Sequence, residues 1–166
     1  MRLQRLTPSL ALAFLMGLST LAAPAQEKVA SAKHAAVTAY DFRALLQRVL
    51  DAWSTLDPAN AVPFYAHEPG HVFFDFAPME YDGWAAYAEG VKKAAASYSS
   101  SKITLGPDVR VHNRGNFAWA TATWHMELVA KQGGTQQVMN GRWTVLWEKR
   151  GENWIIVHEH FSVPLQ

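Results

Sequence analysis

QQVMNGRWTVLWEK (136–149) and NWIIVHEHFSV (153–163) decide the fold of this chain. Both runs are rich in Trp, Val and Ile, which suit a pleated, half-buried surface. The polar turn Arg150-Gly151-Glu152 joins them, so they read as a closing antiparallel pair. The second run sets His158, Glu159 and His160 into an otherwise apolar strand. Ionisable groups in such a place need partners or water, because burying an unpaired charge is costly. The cluster therefore lines a pocket or joins a polar network.

Working back from this pair, Phe117 to Ala130 is a long strand. Trp119, Thr121, Thr123 and His125 fall on one face of it, and Ala118, Ala120, Ala122, Trp124 and Met126 on the other. Gln132-Gly133-Gly134 turns it into the closing pair, and Asn113-Arg114-Gly115-Asn116 is the hairpin before it. Lys102 to His112 reads as one further strand. Upstream the period becomes helical. Phe42, Leu45, Leu46, Val49, Leu50 and Trp53 form one apolar face at i, i+3, i+4, i+7, i+8 and i+11. Asp57-Pro58 stops that helix near Leu56 and starts a second, short one to about Tyr65. A short strand, His71 to Phe76, follows a turn at His67-Glu68-Pro69-Gly70. A loop through Pro78 and Asp82-Gly83 leads to a third helix carrying Trp84, Tyr87, Ala88, Val91 and Ala95. Helices first and a meander second predict an α+β fold. Its form is a cone-shaped, curved antiparallel sheet wrapped around three N-terminal helices, with a pocket at the open end.

The 166 residues suffice for one domain with its own core. At 49% hydrophobic and 17% charged, the chain has neither a disordered nor a nucleic-acid-binding composition. Arg2 and Arg5, the apolar run from Leu10 to about Ala22, and Ala23-Pro24-Ala25 read as a secretory signal peptide cleaved after Ala25. An uncleaved anchor is the competing reading, but the run is short for a bilayer span. Cleavage leaves thirteen basic against fourteen acidic residues, a near-neutral protein with no electrostatic case for nucleic acid or an anionic membrane. Residues 26–37 read as a mobile lead-in and 38–166 as the domain, periplasmic or secreted. With no Cys, no disulfide supports it.

The element order, with Leu56-Asp57-Pro58 to Phe64-Tyr65-Ala66, Phe73-Phe74-Asp75, Gly83, Gly141-Arg142-Trp143-Thr144 and Trp154 to Ser162, resembles the SnoaL-like and nuclear-transport-factor-2-like superfamily. Ketosteroid isomerases, scytalone dehydratases and the association domain of calcium/calmodulin-dependent protein kinase II belong to that group. The closing strand is most similar to the last of these. The resemblance implies a deep pocket, a small-molecule ligand and commonly a homodimer.

Asp75 stands where the isomerase-like members place a proton-accepting carboxylate. Among the aromatics of Val72-Phe73-Phe74-Asp75-Phe76 its ionised form is disfavoured, so it could act near neutral pH. Capping of the next turn or pairing with Arg is the competing use. The isomerases' two oxyanion donors do not carry over: Val49 or Trp53, and Thr144 or Val145, stand at their positions. The kinase-domain resemblance implies that the Trp119–His125 face looks inward. His125 would then be an acid, base or ligand anchor, and Thr123 would replace a cationic residue. Strand alternation puts His158 and His160 on the face of Trp154 and Ile156, opposite Glu159, unless a bulge intervenes. The resemblance implies that Glu159 and Phe161 face the pocket and the two His face a partner or an inter-strand network. His-x-His could supply two metal ligands, short of the three or four that zinc takes, and the spacing implies no metal or other cofactor. Arg142 could hold an anion or pair with Glu159 or Glu148. Tyr65, Trp119 and Trp143 are candidate aromatic walls. Three functions stay open: an exported isomerase, dehydratase or hydrolase of small apolar molecules, a non-catalytic ligand-binding protein, and a dimerisation module. The last predicts an apolar outer sheet face carrying Trp124, Met126, Ile156 and the His pair.

Overall fold

The computed structural model describes residues 40–76 and 78–165. The signal peptide, its cleavage site and the lead-in lie outside the described residues.

Helix α1 spans Phe42–Ser54, and the Asp41 carboxylate caps it by accepting from Ala44 N at 2.9 Å. It buries the face read from its spacing, Phe42, Leu45, Leu46, Val49, Leu50 and Trp53, and Ala52 with them. The helix ends at Ser54 with Thr55 as its C-cap, and Leu56 just beyond adopts φ 62, a left-handed conformation normally left to Gly. Leu56 instead packs against the core. The short second helix is realised as two 3-10 turns, Pro58–Asn60 and Val62–Phe64, each with Pro in its first turn. Strand β1 is Val72–Phe74, β2 is Tyr81–Asp82, and α2 is Gly83–Ala95.

Strands β3 (Tyr98–Leu105), β4 (Arg110–Arg114), β5 (Phe117–Ala130), β6 (Gln136–Arg150) and β7 (Asn153–Ser162) complete one sheet, ordered β2-β1-β7-β6-β5-β3 with β4 also on β5. The α+β class and the helix-filled sheet are as expected, with two refinements. The sheet is mixed, because β1 runs parallel to β7, pairing Phe73 with Glu159 and Phe74 with His160. The single strand expected over Lys102 to His112 is two, broken at Gly106-Pro107-Asp108. Proline cannot donate to the ladder, and the break is pinned by Asp108, whose Oδ1 accepts from Thr123 N at 2.9 Å and Thr123 Oγ1 at 2.7 Å. β3 begins at Tyr98, three residues after α2 ends at Ala95.

α1 covers the edge of β3. Ser54 Oγ accepts from Ile103 N at 2.8 Å, and Gln47 Oε1 accepts from Leu105 N at 3.2 Å. Edge amides are thus satisfied by side chains rather than by another strand. Ala118, Ala120, Ala122, Trp124 and Met126 of β5 join Trp143, Val145 and Trp147 of β6 in the core with both helices.

A bulge in β7 sets the chemistry of the site. The β6 register pairs Leu146 with His158 but Trp147 with Ile156, so Val157 is the extra residue. Trp154 and Ile156 before it, and Glu159 and Phe161 after it, therefore all point inward and are buried. Plain alternation, which grouped the two His with Trp154 and Ile156, is corrected here.

Candidate functional site

Phe73, Tyr65 and Tyr87 bring their rings together under the sheet, with Phe73 stacked on Tyr87 at 5.2 Å and edge-on to Tyr65 at 5.6 Å. Glu159 projects from β7 into this cluster and has no exposed surface. No cation meets it. Tyr65 Oη donates to its Oε1 at 2.8 Å, and Trp143 Nε1 donates to its Oε2 at 3.0 Å. The Tyr87 ring packs beside it, stacked on Phe73. Tyr65 Oη itself accepts from Trp53 Nε1 at 2.7 Å. Burial pushes the Glu159 carboxyl up to about 7; the polar tips of Tyr87, Tyr65 and Trp143 oppose that rise and the nearby Asp75 carboxylate adds to it. Burial and Glu159 also push both tyrosines well above their ordinary value.

Next to this cluster lies a hollow of about 190 Å³. Trp53, Leu56, Tyr87, Met126 and Phe161 are among its apolar walls, and Asp75 is the acid that faces it. Asp75 follows β1 directly and is half-buried, and its Oδ1 accepts from Phe76 N at 2.8 Å. Burial raises its carboxyl from 3.8 to about 6, against the lowering effect of that backbone hydrogen bond. An acid that gains and loses its proton near neutrality, at the wall of an apolar hollow, can abstract or deliver a proton.

The other residues singled out from sequence are distributed differently. Phe161 lines the hollow and stacks on Trp143 at 4.9 Å. Tyr65 and Trp143 act as hydrogen-bond donors behind the hollow rather than as its walls. The face of β5 bearing Trp119, Thr123 and His125 points away from the helices, which corrects the inward orientation expected for it. The opposite face, with Ala118, Ala120, Ala122, Trp124 and Met126, carries the core. His125 bonds Asn140 Oδ1 at 2.9 Å through Nδ1 and lies 3.4 Å from Glu127 through Nε2. Thr123 secures the β3–β4 break, and Trp119 stacks on His112 at 4.9 Å. Arg142 is exposed on the same outer side, opposite Thr123, in a surface cleft with His125 and Asn140. Arg150, not Arg142, pairs with Glu148, at 2.9 Å, and it also contacts Glu68. That contact pulls the Glu68 carboxyl down to about 2. His158 Nδ1 lies 2.7 Å from the Val72 carbonyl, an inter-strand link, and both His158 and His160 meet Phe74 edge-on. Among the described residues no group of three His, Asp or Glu is placed to hold a metal ion.

Two participants went unnoticed in the sequence, Tyr87 and Trp53. Both were read as apolar faces of helices. Their polar tips were the available signal, since a buried Tyr or Trp seeks a hydrogen-bond partner.

The comparisons with known proteins agree with this architecture. Residues 42–166 match a family described as the SnoaL-like domain. A nuclear transport factor 2-like superfamily protein from Salmonella enterica is 27% identical, with a TM-score of 0.66 over 73% of this chain and 87% of its own. A candidate dehydratase of the NTF2-like family from Streptomyces avermitilis is 14% identical, with a TM-score of 0.67 over 75% and 95%. The association domain of C. elegans CaMKII is 18% identical, with a TM-score of 0.56 over 74% and 93%. No curated protein matches the chain in sequence.

Proposed function

The chain belongs to the SnoaL-like domain family, and from that premise we propose that it is an exported protein that takes a small, largely apolar molecule into its hollow and moves a proton on it with Asp75. The reaction is of the isomerase, dehydratase or hydrolase kind. One observation carries this reading: a carboxyl whose pKa is lifted to about 6 faces an otherwise apolar cavity. Asp75 acts as the base in its ionised form, so turnover rises as pH passes upward through about 6. The two oxyanion donors of the isomerases remain without counterparts at Val49, Trp53, Thr144 and Val145, so steroid isomerisation is not the favoured member of the class.

The test is a thermal-shift screen of the purified protein against steroids, terpenoids and polyketide-like acids, followed by Asp75→Asn. Turnover lost with binding retained supports proton transfer. Binding retained with turnover unchanged removes Asp75 from the chemistry, and leaves a ligand-binding protein that does no catalysis.

A second reading concerns assembly and is compatible with the first. The outer face of the sheet exposes Phe117 and Leu146 beside Trp119, Phe74 and the two His. This face supports a homodimer, and the likeness to an association domain points the same way. Export rests on the signal-peptide pattern. It is tested by the N-terminal sequence of the protein recovered outside the cytoplasm, which should begin at Gln26.

A further inference from the structure

The serine run Ser99-Ser100-Ser101 sends its three hydroxyls to different places. The β3 ladder pairs Tyr98 with Ala130 but Ser100 with Val129, so Ser99 is an extra residue, and its Oγ donates to the Val129 carbonyl at 3.1 Å. Ser100 is exposed. Ser101 shares the inner face of β3 with Ile103 and Leu105, is half-buried and lines the hollow. Among the described residues its hydroxyl has no hydrogen-bond partner. An unanswered hydroxyl at an apolar wall costs free energy that an apolar side chain would not. The two other hydroxyls at the hollow are placed differently. Tyr98 Oη donates to Gln137 Oε1 at 3.0 Å, and Tyr87 sits among the rings of Trp53, Tyr65 and Phe73.

In the sheet, β1 and β3 are four strand steps apart, roughly 19 Å if it were flat. The curl brings both to one hollow. Taken in strand order, Asp75 follows β1, Phe161 stands on β7, Met139 on β6, Met126 and Leu128 on β5, and Ser101 on β3. An acid and a free hydroxyl therefore flank an apolar floor from its two sides. We infer that Ser101 determines specificity at this site: its hydroxyl bonds an oxygen at the end of the ligand remote from Asp75. The inference rests on the proposed use of the hollow as a ligand site and names the class of ligand, a compact apolar frame with an oxygen at each end. One end meets Asp75. The other meets Ser101, which both donates and accepts and so takes a carbonyl or a hydroxyl oxygen.

The probes are naphthalene, 2-naphthol and naphthalene-2,6-diol, one rigid frame carrying no hydroxyl, one, or one at each end. Their affinities are measured by ligand-observed NMR at about pH 7.5, where Asp75 is ionised. The natural protein binds the diol roughly fivefold more tightly than 2-naphthol, the worth of one hydrogen bond between neutral groups. Ser101→Ala brings that ratio to one or below and leaves naphthalene binding as it was. Ser101→Thr, which keeps the hydroxyl, keeps the ratio. A merely structural role for Ser101 would weaken all three probes alike. A ratio of one in the natural protein overturns the inference, as does a ratio that survives Ser101→Ala and is lost in Tyr87→Phe instead. In both cases the binding of naphthalene leaves the ligand site standing. Failure of all three probes to bind the natural protein overturns the ligand-site reading itself, and this inference with it.

Discussion

Glu159 meets two hydrogen-bond donors and, among the described residues, no counter-ion, which makes its protonation a matter of stability. Its folded-state pKa is about 7 against an ordinary 4.5. Across that window the folded protein holds a proton that the unfolded chain has released. Its contribution to stability is therefore fully present below about pH 4.5, declines as pH rises toward 7, and is level above that. Asp75, raised from 3.8 to about 6, acts in the same direction. Denaturant titrations should show a decline on the order of 3 kcal/mol attributable to Glu159, and Glu159→Gln should remove most of it. Stability that climbs steadily from pH 4.5 to 7 would refute the assignment. Glu159→Ala is a different perturbation. It leaves Tyr65 and Trp143 with buried, unanswered donors, and should cost about 3 kcal/mol or more at any pH.

The elements that position these residues depend on two local irregularities. The bulge at Val157 lets Trp154 and Ile156 serve the core while Glu159 and Phe161 reach the site. Deleting Val157 restores strict alternation and forces either Trp154 and Ile156 or Glu159 and Phe161 outward. Such a variant should fail to fold cooperatively, as read by near-ultraviolet circular dichroism. Gly141 is the second irregularity. A Cβ there would collide with the Trp124 ring and the Ser162 carbonyl, so Gly141→Ala should destabilise by about 2 kcal/mol, in the range of core overpacking. A melting temperature equal to that of the parent would mean that β6 can shift away from β7 at little cost. The long apolar helix, the β5 strand and the closing pair were readable because each carries its own period. The Val157 bulge was not, because both faces of β7 are apolar on either side of it. Nor was the β3–β4 break fully weighted, although Gly106-Pro107 marked it.

At the scale of the whole molecule, the sheet divides the protein into a filled inner side and a wet outer side. The outer side carries Phe117, Leu146, Trp119, Phe74, His158 and His160; Trp124, Met126 and Ile156, which the assembly reading had put there, are core residues. If two copies pair through this side, sedimentation should show a dimer, and Phe117→Asp with Leu146→Asp should give a monomer that keeps its fold. A monomer at all concentrations in the parent protein would set the dimer aside.

Hydrophobic period, turn residues and element order were enough to establish an α+β domain with a sheet around its helices, and the family resemblance carried by those segments pointed at Asp75 and Glu159. Those signals are local, and a chain segment carries them wherever it ends up. Which face of β5 looks inward, which tyrosine reaches Glu159, and which arginine meets Glu148 were decided only in the assembled fold. They depend on how the strands pack against their neighbours and, in the last strand, on a single extra residue. Those are properties of the packed neighbours, and no segment contains them alone.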